Sequence, residues 1–360
     1  MKIVVTGTRG IPGIMGGIET HCEQLFPRVA AKGFDVTVVR RKGYASDNLK
    51  EWNGVMLKDI PAPKAKAFEA LIHTFRAIDF AAKNKADVIH INAIGPALAI
   101  PYAKLRGLKV VFTHHGPDYD RKKWGWAARL ALKIGERLGV KYSDQIIVIS
   151  DTIRSNIQGK FGRTGNVNLI FNGVPDPVFC NFTEYFDSLG ICPGKYVLCV
   201  SRFVPEKRLE DIIKAFSKSG LKDIGYKLVI AGDTDFEDNY SSSLKRMAGD
   251  EGVVLTGFIK GKELQSLFSH ASVFALTSSH EGLPISLLEA MSYKLPVVVS
   301  DIPANMELGL SPDCYFKLGD IDSLSKGVGS KAGTGPIYYD MTRYNWDCIA
   351  EKTIEVYKKL

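Results

Sequence analysis

Short apolar runs recur along this chain with longer helical patterns between them, and the series runs twice. In the first half the runs are "KIVVTG" (2–7), "DVTVVRR" (35–41), "ADVIHINA" (86–93), "KVVFTHHG" (109–116), "DQIIVIS" (144–150) and "NLIFNGV" (168–174). Helical patterns occupy 18–32, 67–85 and 152–161. Strands that are apolar almost throughout, rather than at alternate residues, are buried on both faces, and helices must cover them. The stretch "PDPVFCNFTEYFDSLGICPG" (175–194) interrupts the series with three prolines and predicts a linker. The series then resumes with "KYVLCVSR" (195–202), "YKLVIAGD" (226–233), "GVVLTGF" (252–258), "SVFALTSS" (272–279) and "PVVVSD" (296–301). The pattern predicts two doubly wound α/β domains facing each other across a cleft, residues 1–175 and 176–343. A chain of 360 residues is long enough for two such cores. Ligands of such sheets lie beyond the carboxyl ends of the strands.

Composition narrows the class. The chain is 45% hydrophobic and 24% charged, as a soluble globular protein would be. No apolar run approaches the ~18 residues of a membrane span. "MKIVVTG" already reads as a strand, so no signal peptide is expected ahead of the fold. Six scattered cysteines without a Cys-x-x-Cys pair predict reduced thiols in the cytoplasm. The formal charge of +8 is uneven: residues 1–180 carry 27 basic and 15 acidic side chains (+12), and residues 181–360 carry 20 and 24 (−4). Such asymmetry predicts an anionic partner for the first half. No nucleic-acid module is recognisable, so nucleic acid is not expected.

Directly after the first strand, "TGTRGIPGIMGGIET" (6–20) places five glycines within eleven positions. Gly7, Gly10 and Gly13 fit the dinucleotide loop of an NADP-dependent extended short-chain dehydrogenase. That reading takes Arg40 or Arg41 for a 2′-phosphate, and Tyr119 with Lys123 as the catalytic pair. It requires a helix that opens inside the glycine run, whereas the pattern starts one near Ile18. It also explains nothing in the second half.

There, "EGLPISLLE" (281–289) carries two glutamates, Glu281 and Glu289, separated by seven residues. Gly282 loosens the backbone and Pro284 suits the first turn of a helix, whose free N–H groups and positive dipole end form an anion site. Eight helical residues rise ~12 Å, so the carboxylates could hold opposite ends of an elongated ligand such as a nucleotide-sugar. In "SRFVPEKR" (201–208), Arg202 and Lys207 follow a strand, where two cations can neutralise a departing diphosphate with no metal. No Asp-x-Asp metal motif accompanies them, and "DTDFED" (233–238) reads as a solvated turn.

Taken together, "GGIET" (16–20), "NGV" (172–174), "SRFVPEKR" and "HEGLPISLLEAMSYKLPVVVSD" (280–301) resemble the retaining glycosyltransferases of family 4, which have the GT-B fold, over nearly the whole chain. The resemblance implies that the C-terminal domain binds the nucleotide-sugar and the N-terminal domain the acceptor. It implies that Arg202 and Lys207 hold the diphosphate, beside the helix mouth formed by Gly282, Leu283 and Pro284. Glu281 would contact donor-sugar hydroxyls and Glu289 the ribose. Gly16 or Gly17 would let the N-terminal loop close on the phosphates. "THHG" (113–116) matches a Thr-x-His motif near the donor sugar, which selects His115 over His114. Candidate catalytic residues are thus His115, Arg202, Lys207 and Glu281, with no metal ligand. The end of the chain (344–360) resembles a terminal helix that crosses back to the first domain. Lys294 departs from the pattern, since the family usually has glycine before "LPVV".

Residues 121–141, "RKKWGWAARLALKIGERLGVK", set Trp124, Ala128, Leu132 and Ile134 among seven basic residues. Such an amphipathic helix can lie on an anionic membrane surface or turn its apolar stripe to the core. The expectation is a metal-independent, retaining glycosyltransferase of EC class 2.4, cytoplasmic and peripheral on the inner face of a membrane. It would take a nucleotide-diphosphate sugar and a lipid-linked or surface-polysaccharide acceptor of the lipopolysaccharide or capsule kind, with no further cofactor. A nucleotide-sugar epimerase on the same fold is the alternative within enzymes. A nucleotide-sugar binding protein without activity is the alternative outside them.

Overall fold

A computed structural model describes residues 1–45, 48–63, 69–120, 125–180, 182–234 and 237–360. By contacts the chain divides into two compact units, Met1–Gly173 with Arg343–Leu360, and Val174–Thr342.

The first unit runs β1 (Lys2–Thr6), α1 (Gly17–Ala31), β2 (Asp35–Arg41), β3 (Glu51–Trp52), β4 (Val55–Ile60), α2 (Glu69–Lys83), β5 (Val88–Asn92), α3 (Ile100–Leu105), β6 (Lys109–His114), α4 (Trp126–Tyr142), β7 (Gln145–Val148), α5 (Asp151–Phe161) and β8 (Val167–Leu169). Its strand order is β3-β4-β2-β1-β5-β6-β7-β8, parallel except at the β3–β4 hairpin. The hairpin's polar, alternating sequence was outside the apolar series. Because β1 pairs with β2 on one side and β5 on the other, the order reverses there. That reversal opens a crevice at the carboxyl ends of β1 and β5. Gly135 and Gly139 let α4 press on the sheet, since a Cβ on Gly139 would lie 2.8 Å from the Phe112 ring.

In the second unit come α6 (Thr183–Leu189), β9 (Tyr196–Val200), α7 (Leu209–Lys218), β10 (Lys227–Ala231), α8 (Asn239–Glu251), β11 (Val254–Gly257), α9 (Lys262–His270), β12 (Val273–Leu276), α10 (Ile285–Ser292), β13 (Val297–Ser300), α11 (Pro303–Met306), β14 (Tyr315–Phe316) and α12 (Ile321–Lys331). All six strands are parallel, in the order β11-β10-β9-β12-β13-β14, and the reversal falls between β9 and β12. The cores are continuous apolar clusters, Ile3, Val5, Phe26 and Val111 among one, Val197, Ile212, Leu228 and Val273 among the other.

The predicted linker is corrected. Residues 183–189 of it form α6, and Phe186 is fully buried against Tyr196 and His270 at centroid distances of 6.4 and 5.4 Å. The prolines bound this helix rather than mark a free connection. Lys294 has φ +62°, the left-handed conformation that favours glycine and explains the family's usual residue there. Its ammonium lies 4.6 Å from the Tyr338 ring.

The terminal helix α13 (Trp346–Lys358) packs on the first unit. Asn345 caps it by accepting from the Asp347 and Cys348 amides, and Arg28–Asp347 and Lys32–Glu351 ion pairs tie it to α1 at 2.9 and 3.0 Å. Gly173 is required beneath it, because a Cβ would lie 2.5 Å from the Trp346 ring.

Candidate functional site

In the second unit the site grows from the loops that follow β9 and β12. After Val200 the chain passes Ser201 and the partly buried Arg202, makes a tight helical turn over Pro205–Lys207, and enters α7 through Arg208 at φ +49°. Three hydrogen bonds from the β12 loop fasten this turn. The Thr277 hydroxyl donates to the Lys207 carbonyl at 2.8 Å, and the Ser279 amide and hydroxyl donate to the Glu206 carbonyl at 2.8 and 3.1 Å. This strap brings the two predicted motifs together. Lys207 and Glu281 form an ion pair with their side chains only 17% and 11% exposed. Lys207 is thus largely enclosed and paired, because the strap folds the β12 loop over it.

Past Glu281, Gly282, Leu283 and Pro284 lead into α10. Pro284 is the extended residue that precedes the helix (φ −76°, ψ 108°), not a member of its first turn. Leu283 and Pro284 are buried. Glu289, on the second turn, has its carboxyl pushed up to about 7 by burial. At neutral pH it is therefore part protonated. The acidic loop after β10 has structural roles: Asp233 pairs with Lys245 at 3.2 Å and Asp238 caps α8 through the Ser241 amide at 2.8 Å.

In the first unit the glycine loop follows β1 and is held by carboxylates of its own helix. Glu19 is buried and accepts from the Arg9 amide at 2.9 Å and the Thr8 hydroxyl at 3.2 Å. Glu23 accepts from the Gly13 amide at 2.7 Å. The two candidate glycines differ. Gly16 has φ +144°, and a Cβ there would lie 2.2 Å from Glu19 Oε2; a Cβ on Gly17 would meet nothing within 4 Å. Of these two, the loop demands glycine only at Gly16.

The adjacent histidines also separate. His114 is buried: its Nδ1 accepts from the Gly116 amide at 3.1 Å and its Nε2–H donates to Glu136 at 2.9 Å. Both nitrogens are committed to the fold. His115 lies one residue past β6, partly open, with Nε2 2.9 Å from Asn92 Oδ1 and its ring 4.9 Å from that of His21. Burial and the neighbouring histidines hold it well below the ordinary imidazole range, so it is neutral. His21 is pushed down to about 4 by burial, and Asn172 of "NGV" accepts from its Nδ1 at 3.0 Å. Asn92, His21 and the Thr277–Ser279 strap were not singled out from sequence. The one signal was a polar residue, Asn92, at the end of a strand that is apolar but for His90.

The dehydrogenase requirements fail. The helix opens at Gly17, past Gly7, Gly10 and Gly13. Arg40 is fully buried and clamps Asp59 through Nε and Nη2 at 2.7 and 3.1 Å. Tyr119 is buried under Lys160, which donates to its hydroxyl at 2.5 Å, and Lys123 lies outside the described residues. Among the described residues no three His, Cys, Asp or Glu side chains are grouped to hold a metal ion. No helix among them is long and apolar enough to cross a membrane.

On the basic segment, residues 121–124, Trp124 included, lie outside the described residues. Helix α4 turns Gly135, Glu136, Gly139 and Val140 inward. Outward it turns Trp126 (81% exposed), Leu130 and Ile134, interleaved with exposed Lys133, Arg137 and Lys141.

Comparison with known proteins matches both halves. The family model "Glycosyltransferase Family 4" covers residues 15–176, and "Glycosyl transferases group 1" covers 181–314. An uncharacterized glycosyltransferase of Methanocaldococcus jannaschii is 27% identical over 99% of this chain and 98% of its own length. The GDP-mannose-dependent alpha-(1-6)-phosphatidylinositol monomannoside mannosyltransferase of Mycobacterium tuberculosis is 26% identical over 84% and 81%. The solved sucrose-phosphate synthase of Thermosynechococcus elongatus superposes with a TM-score of 0.81 at 20% identity, over 99% and 98%. With each half matched by its own model and the two doubly wound units in the corresponding order, the chain belongs to the family 4 glycosyltransferases and carries the GT-B fold.

Proposed function

We propose that this glycosyltransferase is retaining and metal-independent, and that it moves a hexosyl group from a nucleotide-diphosphate sugar to a hydroxyl of a lipid-linked or surface-polysaccharide precursor. The observation that carries this reading is the strapped pair of loops at the β9/β12 reversal, which sets Lys207, Glu281 and the mouth of α10 together. In this reading the second unit binds the donor and the first the acceptor. Arg202 and Lys207 take the diphosphate, with the amides around Gly282 and Leu283. The diphosphate competes for Lys207 and frees Glu281 to accept from sugar hydroxyls, while Glu289 accepts from the ribose. Gly16 keeps the first unit's loop free of a side chain that would bar close approach to phosphate. Charge developing on the departing phosphate oxygen is met by fixed cations, so no metal is required. The mannosyltransferase relative, which uses GDP-mannose, supports a nucleotide-sugar donor and a lipid acceptor.

A thermal-shift screen against UDP-, GDP- and dTDP-sugars tests the donor class, because a ligand at ~100 times its Kd stabilises by ~2.7 kcal/mol. NMR of the product's anomeric centre then tests retention. No shift with any donor, or inversion at that centre, overturns the reading. The outward face of α4 further supports docking on an anionic membrane. Co-sedimentation with phosphatidylglycerol vesicles that weakens with salt is expected, and a protein left in the supernatant at low salt overturns it.

A further inference from the structure

Asn92 ends β5 beside the reversal point of the first sheet and is fully buried. The glycine loop presses on it, since a Cβ on Gly7 would lie 2.1 Å from the Asn92 carbonyl oxygen. Its side-chain amide spans two elements. Nδ2 is 3.2 Å from the Thr6 carbonyl at the end of β1, and Oδ1 is 2.9 Å from His115 Nε2. The carbonyl of Thr6 can only accept, so the amide nitrogen must face it; the reverse orientation would set two acceptors against each other. Oδ1 then faces His115, and it too can only accept. The ring proton of neutral His115 must therefore sit on Nε2, and Nδ1 carries the lone pair. Nδ1 makes no hydrogen bond among the described residues, and His115 keeps part of its surface open. The edge contact with His21, itself anchored to Asn172, holds the plane of the ring.

We infer that Asn92 is a positioning residue that locks His115 as the Nε2–H tautomer, so that His115 meets its ligand through Nδ1 as a hydrogen-bond acceptor. This rests on the glycosyltransferase reading above for the nature of the ligand, a sugar substrate. An acceptor nitrogen recognises an O–H or N–H group, so the ligand presents a hydrogen-bond donor at this contact. A carboxylate there would oppose one lone pair with another. The titratable groups that face His115 are His21 on α1, His90 on β5 and His114 beside it. None of them is a carboxylate that would favour the imidazolium.

Long-range proton–nitrogen NMR of the ¹⁵N-histidine-labelled full chain reads the tautomer directly. His115 is assigned by the loss of its signals in His115→Phe. Wild type should show Nε2 protonated and Nδ1 unprotonated throughout pH 6–8, and Asn92→Leu should show a mixed tautomer population. An Nδ1–H or exchange-averaged ring in wild type overturns the inference, and this outcome needs no variant and no sugar. Asn92→Asp supplies the second arm. Its carboxylate still accepts from Nε2–H but stabilises the charged ring, so His115 should titrate at a higher pH, and the protonated Nδ1 can then only donate. In transfer assays Asn92→Asp should lose at least about tenfold in kcat/KM as pH falls through that titration, on the scale of hydrogen bonds lost or reversed at a buried site, while wild type stays flat. A pH profile for Asn92→Asp that parallels wild type overturns the acceptor role. If the tautomer is as stated but no nucleotide-sugar binds, the functional reading fails and the tautomer assignment stands.

Discussion

The two units share a doubly wound topology but differ in which ionisable groups burial shifts, imidazoles in the first and a carboxyl in the second. Five of the seven histidines lie in the first unit, and burial pushes four of them down: His21 and His73 to about 4, His90 to about 3, and His115 well below the ordinary range. The second unit instead encloses the Lys207–Glu281 pair and a carboxyl, Glu289, pushed up to about 7. Imidazoles held neutral make the first unit sensitive to acid, and a carboxyl held protonated makes the second sensitive to base. A fold alone does not set a pH response; the side chains placed at its reversal point do.

The largest expected effect breaks the second unit's pair. Lys207→Ala should lower kcat by ~10²–10³, the cost of removing one preorganised group that meets developing charge. Donor Kd should change much less, because Arg202 and the α10 amides remain. The melting temperature should also fall, since Glu281 keeps a largely buried charge without its cation. Adding Glu281→Gln should recover stability without recovering turnover. Near-normal turnover of Lys207→Ala would remove that lysine from the mechanism.

Acid should then separate the units. Between pH 6.5 and 4 the unfolded chain protonates His21 and His73 while the folded unit does not. Their contribution is complete above about 6.5 and is lost as pH falls toward 4, at up to a few kcal/mol per group. All four tryptophans lie in the first unit, so their fluorescence reports its unfolding alone. That transition should precede loss of helical signal from the second unit. Simultaneous transitions would contradict the contrast.

Glu289 has the reverse sign. Its folded value of about 7 exceeds the ordinary 4.5, so stability is complete below 4.5 and is lost as pH rises through 7. Glu289→Gln should stabilise the protein above pH 7. If the ionised carboxylate is what accepts from the ribose, donor Kd in wild type should fall as pH rises from 6 to 8, and the variant should lose that dependence. A pH-independent wild-type Kd would take Glu289 out of donor binding.

The smallest pair sharpens the glycine loop of the first unit. Gly16→Ala should cost roughly 1–3 kcal/mol from an unsuitable φ and collision with Glu19. Gly17→Ala, at an open helix start, should stay within about 0.5 kcal/mol. Urea unfolding of both variants checks the difference, and equal costs would deny the fastening role of Glu19.

Near-continuous apolar runs revealed both sheets, because burial on two faces is written in consecutive residues. The β3–β4 hairpin escaped because its strands are short and polar outward. Helix α6 was hidden among prolines, which are usually read as breaks and here only bound it. Lys207, Glu281 and Glu289 were recognisable from charge at strand and helix ends, and their roles came from resemblance. Enclosure of Lys207 was not readable, since it depends on Thr277 and Ser279, 70 and 73 residues from their partners.

By itself, then, the sequence determined that there are two α/β units, where most of their strands and helices run, and which charged residues end at strand carboxyl termini. These follow from local periodicity and from the chemistry of short segments. Only the tertiary structure decided which strands are neighbours, and so that β1 meets β5 and β9 meets β12. From that came the Lys207–Glu281 pair, the demand for glycine at Gly16 rather than Gly17, and the amide of Asn92 between Thr6 and His115. Crossover connections choose strand order through packing across the whole sheet. Contacts made that way join residues whose separation leaves no mark in either segment.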